Sequence, residues 1–323
     1  MNEDLAHRAT SGEEVRVDYA SIEKTLAELW QVERNDEHTV TRAALWNVVA
    51  HASTAEHHAH ASEVLSRAAA TVPQRTIVVR ATPLAKREMT SWISANCHLV
   101  GGGNKVCSEE IAIVASGDLV RRVPPLVHAL LLPDMPVAMW WLGDLPAEEA
   151  EYVDALLQPV DRLIVDSSHF DRLDDLALVK RVSEKTSTAP ADLNWIRLEE
   201  WRSATAMLFD PPEMRGRLDQ LRSVDILNHT HRGSFFGESV AALLYASWLS
   251  AQLRHEVDDE GRVIGPGGPI EYTIRNEASS GITGILRVTF NFSGGTSATV
   301  AHEEDLGVLS TTLRGTVRIP DSV

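Results

Sequence analysis

Apolar residues recur at helical spacing soon after a polar start. Ile22, Leu26, Leu29 and Trp30 share one face with Glu23, Glu28 and Glu33 mostly outside it, and this period predicts an amphipathic first helix. The polar residues 1–17 ahead of it are expected to fray. Apolar and β-branched residues crowd Val40–Ala50, which predicts a buried strand. Ser53 with Glu56 three residues on forms a capping box, so a helix is expected from Thr54 to Ala70, closed by Pro73. The run 76–81 (TIVVRA) reads as a strand and Trp92–Val100 as another, leading into a Gly101-Gly102-Gly103-Asn104 turn. The following CSEEIAIVA then returns as a hairpin partner. Helices are expected at Asp118–Leu132 and Ala147–Leu157, and strands at Val137–Leu142 and Arg162–Asp166. This rhythm predicts an α/β domain whose sheet is mixed, because of the hairpin, with helices on its faces.

The pattern changes after Ser167-Ser168. Residues 170–225 are polar and largely helical by pattern, with loops expected at Ser183–Asp192 and Pro211-Pro212 and a short strand at Asp225–Asn228. Gly237–Leu253 (GESVAALLYASWLSAQL) is apolar nearly all round and reads as a buried helix. Beyond Gly261 the period drops to two, with Ile270, Tyr272 and Ile274 alternating with Glu271, Thr273 and Arg275. The expectation is therefore a mixed α/β domain over 1–168 and an α+β domain over 169–323, with helices packed on an antiparallel sheet.

Composition narrows the function classes. The 46 acidic residues against 30 basic ones leave a net charge of −16, which repels nucleic-acid phosphates and anionic lipid unless cations cluster locally. Pairs stand together at Arg121/Arg122 and Lys180/Arg181, but each is a pair in an acidic background, enough for one small anion, so no nucleic-acid partner is expected. The apolar run Leu126–Leu142 is broken by His128, Pro133, Asp134 and Pro136 and is too short for a membrane span. The polar N-terminus lacks the apolar core of a secretory signal, and with two cysteines a cytoplasmic protein is expected.

Pro133 and Pro136 bracket Asp134-Met135, so a helix must stop and a strand begin within about one turn's length. Trp140 and Trp141 then point to opposite faces of that strand. Either both are covered, or Trp141 reaches a surface and marks an interface. Arg121 and Arg122 stand near a helix start, where they are either solvated or poised for an anion.

The elements CSEEI, GD, RR-P, LLLPDMPVAMWW and AALLYASWLSAQL together resemble the OpcA family, named for assembly or activation of glucose-6-phosphate dehydrogenase. The resemblance runs from about Thr41 to Val317, and the Pro-Asp-x-Pro turn feeding paired tryptophans is its most specific part. It implies a non-catalytic partner that binds the dehydrogenase and raises its activity or alters its assembly, in support of the oxidative pentose phosphate pathway.

No catalytic, cofactor-binding or metal-ligating set is read from the residues. His51, His57, His58 and His60 lie close in sequence, but the last three fall in early helical turns, as at a solvated helix end. Gly101–Lys105 lacks the spacing of a phosphate loop. Cys97 and Cys107 flank the turn symmetrically: paired reduced thiols are the cytosolic expectation, and a redox pair is the alternative. Asn228-His229-Thr230-His231-Arg232 carries imidazoles and a cation suited to a sugar phosphate. The candidate partner or anion contacts are thus Arg121, Arg122, Trp141, His229, His231 and Arg232. The rival reading is an enzyme or sensor binding a sugar phosphate or nucleotide.

Overall fold

The computed structural model describes residues 8–9, 13–33, 40–100, 104–143, 150–170, 173–230, 237–279, 283–303 and 308–314. They form two units, residues 1–166 with 174–191 and residues 167–173 with 192–323. Each unit is α/β with helices flanking a mixed sheet.

In the first unit the strands are β1 (Val15–Val17), β2 (Val40–Arg42), β3 (Trp46–Ala52), β4 (Gln74–Thr82), β5 (Glu88–Val100), β6 (Asn104–Ser116), β7 (Val137–Leu142), β8 (Arg162–Val165) and β9 (Ala189–Asp192). The helices are α1 (Ile22–Glu33), α2 (Ala55–Ala69), α3 (Val123–Leu130), α4 (Ala150–Leu157) and α5 (Leu173–Thr186). The sheet runs β1-β5-β6-β4-β3-β7-β8-β9, with β2 beside β6. Neighbours from β6 through β8 are parallel, and β5 joins β6 as an antiparallel hairpin. The central strands are apolar on successive residues rather than alternate ones, because helices cover both faces: Val48–Ala52, Ile77–Val79 and Val137–Leu142 are all buried. The predicted face of α1 is also buried at Ile22, Leu26, Leu29 and Trp30.

Two expectations are corrected here. The first 17 residues do not all fray, since β1 pairs with β5 and buries Val15 against Ile93. The single strand expected over Val40–Ala50 is two. Arg42 stays in register with Cys107 of β6, whereas Ala43 N–H donates to the Cys107 carbonyl and Leu45 N–H to that of Pro73, carrying the chain across to β4.

The second unit contains α6 (Leu193–Arg197), α7 (Glu199–Phe209), α8 (Pro212–Arg215), β10 (Leu221–Thr230), α9 (Gly237–Gln252), β11 (Glu256–Val257), β12 (Val263–Gly265), β13 (Gly268–Ala278), β14 (Gly284–Phe292), β15 (Ser297–Glu303) and β16 (Val308–Arg314). Its sheet order is β11-β12-β13-β10-β14-β15-β16. Trp201, Met214, Tyr245 and Leu249 from the helices pack on Val224, Ile226, Val288, Phe290 and Val300 from the sheet. The sheet is antiparallel except at its centre, where β10 pairs in parallel with β13. The physical reason is connectivity: α9 lies between the two strands in sequence, and a helical crossover returns the chain in the same direction. The loop expected over Ser183–Asp192 is also shorter than predicted, because α5 continues to Thr186 and β9 begins at Ala189.

Candidate functional site

A doubly wound sheet offers a ligand site where its strand order reverses, outside the C-terminal ends of the two strands that diverge there. In the first unit β3 leads by way of α2 to β4 on one side, whereas β7 joins β3 on the other, so the crevice belongs between the ends of β3 and β7. His51 and Trp141 sit directly opposite one another at that point.

Side chains of the protein itself fill this crevice. The His51 imidazole stacks on Trp141 with ring centroids 3.9 Å apart and planes 17° apart, and Tyr152 of α4 meets the same imidazole edge-on at 5.7 Å. Trp141 is 1% exposed and His51 5%. Neither imidazole nitrogen has a hydrogen-bond partner among the described residues, and burial lowers the His51 pKa to about 3, so the ring is neutral. Beyond it, Ser53 Oγ donates to the Leu142 carbonyl at 2.9 Å, and Gly143 turns with φ of +89° where any Cβ would fall 2.3 Å from Ser53 Oγ. The two strand ends are thereby stitched together.

The segment from β3 into α2 also lacks the chemistry of a phosphate cradle. It reads Ala52-Ser53-Thr54-Ala55-Glu56, with no glycine to admit a phosphate close to the backbone. Thr54 Oγ1 already accepts the His57 N–H at 3.0 Å, and Glu56 sets a negative charge in the first turn of α2. The expected Ser53/Glu56 cap is corrected by one residue, since Thr54 is the N-cap and Ser53 is spent on Leu142.

On the sheet's α1 side lies a buried ionic cluster that the sequence pattern does not reveal. Glu109, at the start of the apolar part of β6, receives Arg75 Nε at 2.8 Å and Arg42 Nε at 2.7 Å, together with the Trp30 indole N–H. Arg75 also meets Glu23 of α1 and donates to the Leu130 carbonyl at 2.6 Å. The Arg75 and Glu109 side chains are 1% and 2% exposed. The only sequence signal is a charged residue interrupting each of two apolar strands.

The predicted contacts are dispersed. Arg121 and Arg122 are exposed at the end of a 3-10 turn, Gly117–Arg122, and Arg122 occupies the N-cap position of α3. Trp141, offered as a partner contact, is covered instead, because helices lie on both faces of its strand and His51 stacks on its ring. Trp140 is 9% exposed and meets His60 edge-on. His229 lies within β10 rather than in a loop, half-buried, while His231 and Arg232 lie outside the described residues. Cys97 and Cys107 face each other directly across β5 and β6, as their spacing implied, and are joined by a disulfide rather than reduced. Among the described residues no group of three or more His, Cys, Asp or Glu is placed to hold a metal, and no helix is long and apolar enough to cross a membrane.

Two family models, both described as "Glucose-6-phosphate dehydrogenase subunit", match the chain in succession, the one for the N-terminal domain over residues 65–181 and the one for the C-terminal domain over residues 188–321. A relative from Synechocystis sp. named as OxPP cycle protein OpcA is 32% identical over 60% of this chain and 40% of its own length. One of the same name from Synechococcus elongatus is 31% identical over 59% of this chain and 42% of its own. The chain thus spans less than half the length of these relatives. Among solved structures, an oxidoreductase from Sinorhizobium meliloti aligns with a TM-score of 0.50 at 10% identity, covering 85% of this chain and 76% of that one. At that identity the likeness is one of fold alone.

Proposed function

We propose, from the premise that this chain belongs to the OpcA family, that it is a non-catalytic cytosolic protein which binds glucose-6-phosphate dehydrogenase and promotes its assembly or allosteric activation. Membership of the family supports a role in the oxidative pentose phosphate cycle. The observation that carries the reading is the succession of both dehydrogenase-related domains along most of the chain.

The geometry of the first unit supports a binding role over chemistry. The strand-order reversal is where such a sheet takes a nucleotide, and among the described residues His51, Trp141 and Tyr152 occupy that place. A protein of this kind acts by preferring one form of its partner, because equal affinity for the active and inactive forms would shift nothing. A shift from 10% to 90% active enzyme requires roughly 80-fold preference, about 2.6 kcal/mol. Greater NADPH production would follow.

The test is steady-state kinetics of the cognate dehydrogenase with and without this chain, with mass photometry of the mixture. A complex accompanied by a rise in kcat or a fall in KM is expected. An unaltered enzyme that forms no complex refutes the reading.

A further inference from the structure

We propose that the open face of the second unit's sheet, across β13, β10, β14, β15 and β16, is the surface that docks on the dehydrogenase, an inference that rests on the function proposed for the chain. The helices that build the apolar core of this unit do so from the other face, through Trp201, Met214, Tyr245 and Leu249. Strand alternation then assigns the remaining residues to the open face. Register aligns Thr273, Asp225, Thr289, Thr299 and Thr312 in a straight row across five strands. Beside it runs a second row, Glu271, Ser223, Asn291, Ser297 and Arg314.

Short side chains make this a flat platform. A sheet face kept for solvent is usually coated with long charged residues, whereas these two rows hold no lysine and place charge at Asp225, Glu271 and Arg314 alone. The polar groups inside the rows are tied to one another: Asn291 Nδ2 donates to Asp225 Oδ2 at 2.6 Å and to Ser223 Oγ at 2.9 Å, and Thr289 and Thr299 hydroxyls lie 3.5 Å apart. Covering this face leaves the Asp225 carboxylate paired with Asn291 and orders few long side chains, with Glu271 at the β13 end kept at the exposed rim. Arg275 and Arg287 flank the rows on the next positions, so the platform is close to neutral on a chain of charge −16.

Size and charge decide between occupants. Five strands at ~4.8 Å spacing and three rows at ~6.8 Å give roughly 500 Å² in projection, and side-chain relief and a rim bring that toward the ~800 Å² each partner buries in an interface of standard size. A second copy is disfavoured, since it would bring two charges of −16 together and would set Arg287 of the central strand against itself on a two-fold axis along β14. With a different protein as partner neither the doubled charge nor the self-opposed arginine arises, and the family models name the dehydrogenase.

The experiment compares the full chain with a Thr289→Arg, Thr299→Arg double variant, and with Leu84→Arg, at a fully exposed position of the first unit, as the control for added charge. Affinity for the cognate dehydrogenase is read by mass photometry, and folding by circular dichroism and thermal melting. At least a tenfold weakening is expected in the double variant, with melting unchanged and the control unaffected. Thr312→Arg on the exposed edge strand gives the same readout should the double variant misfold. If wild type and variants bind equally, the surface is refuted while the dehydrogenase reading stands. If wild type forms no complex, both fall. If free wild type is a dimer that the variant splits, the occupant is a second copy and the proposal is overturned.

Discussion

Replacing His51 with phenylalanine isolates the energetic consequence of the filled crevice. The imidazole is buried, stacked on Trp141 with Tyr152 at its edge, with a folded-state pKa of about 3 against 6.5 for the free side chain. The unfolded chain therefore binds a proton between these values that the folded chain refuses, and stability rises with pH across that window. The contribution is fully present above pH 6.5 and is lost progressively as the pH falls. At 1.36 kcal/mol per unit, the loss is about 2 kcal/mol at pH 5 and about 3.4 kcal/mol at pH 4. Phenylalanine keeps the aromatic stack, removes both unpartnered nitrogens and cannot titrate, so His51→Phe should gain about 2 kcal/mol relative to wild type between pH 7.5 and pH 5. Because the two units need not unfold together, the assay is urea-dependent hydrogen exchange of peptides covering β3 and β7, which reports the first unit by itself. Parallel pH dependences for the two proteins would refute the argument, for the imidazole would then reach solvent or a partner.

Glu110 gives the opposite slope. Burial, reinforced by the charge of Glu14, raises its pKa from 4.5 to about 7, so the folded chain holds a proton that the unfolded one releases, and stability falls as the pH rises from 4.5 to 7. Glu110→Gln should therefore be more stable than wild type by about 3 kcal/mol at pH 8 and nearly equal to it at pH 4.5, measured by the same exchange experiment; no gain at pH 8 refutes the assignment. Glu109→Gln removes the charge that offsets Arg75, whose side chain is 1% exposed, and should destabilise the first unit by about 3–5 kcal/mol. A loss below 1 kcal/mol in urea unfolding would show that Glu23 and the Leu130 carbonyl suffice for the guanidinium.

Local patterns survived the passage from sequence to structure because they depend on neighbours in the chain. The face of α1, the β5–β6 hairpin and the Pro-bracketed turn before β7 were legible, and Asp134 takes a φ of 61° in that turn, a conformation its short polar side chain tolerates. What escaped was long-range pairing. Glu109 meets Arg75 across 34 residues and Trp30 across 79, and no periodicity encodes such a meeting. The cap shifted from Ser53 to Thr54 for a similar reason, because a carbonyl 89 residues away competed for the serine. Of the candidate contacts, Trp141 was left between a covered and an exposed reading, because one strand's pattern cannot say whether helices cover both of its faces, and it is covered.

The parallel pairing of β10 with β13 bears on how the second unit assembles. β14, β15 and β16 form a meander whose contacts are local, within reach of hairpin formation in about 1–10 μs. The central strand β10 is different: β13 takes its place only after α9 has crossed over, so the middle of the sheet closes against a large loop entropy. The apolar edge of the meander at Val288 and Phe290 pairs with β10 in turn, and stands unpaired until β10 joins it. The interval before crossover is when a newly made chain is most exposed to aggregation, and when the presence of a folding helper or of the partner itself would most change its yield.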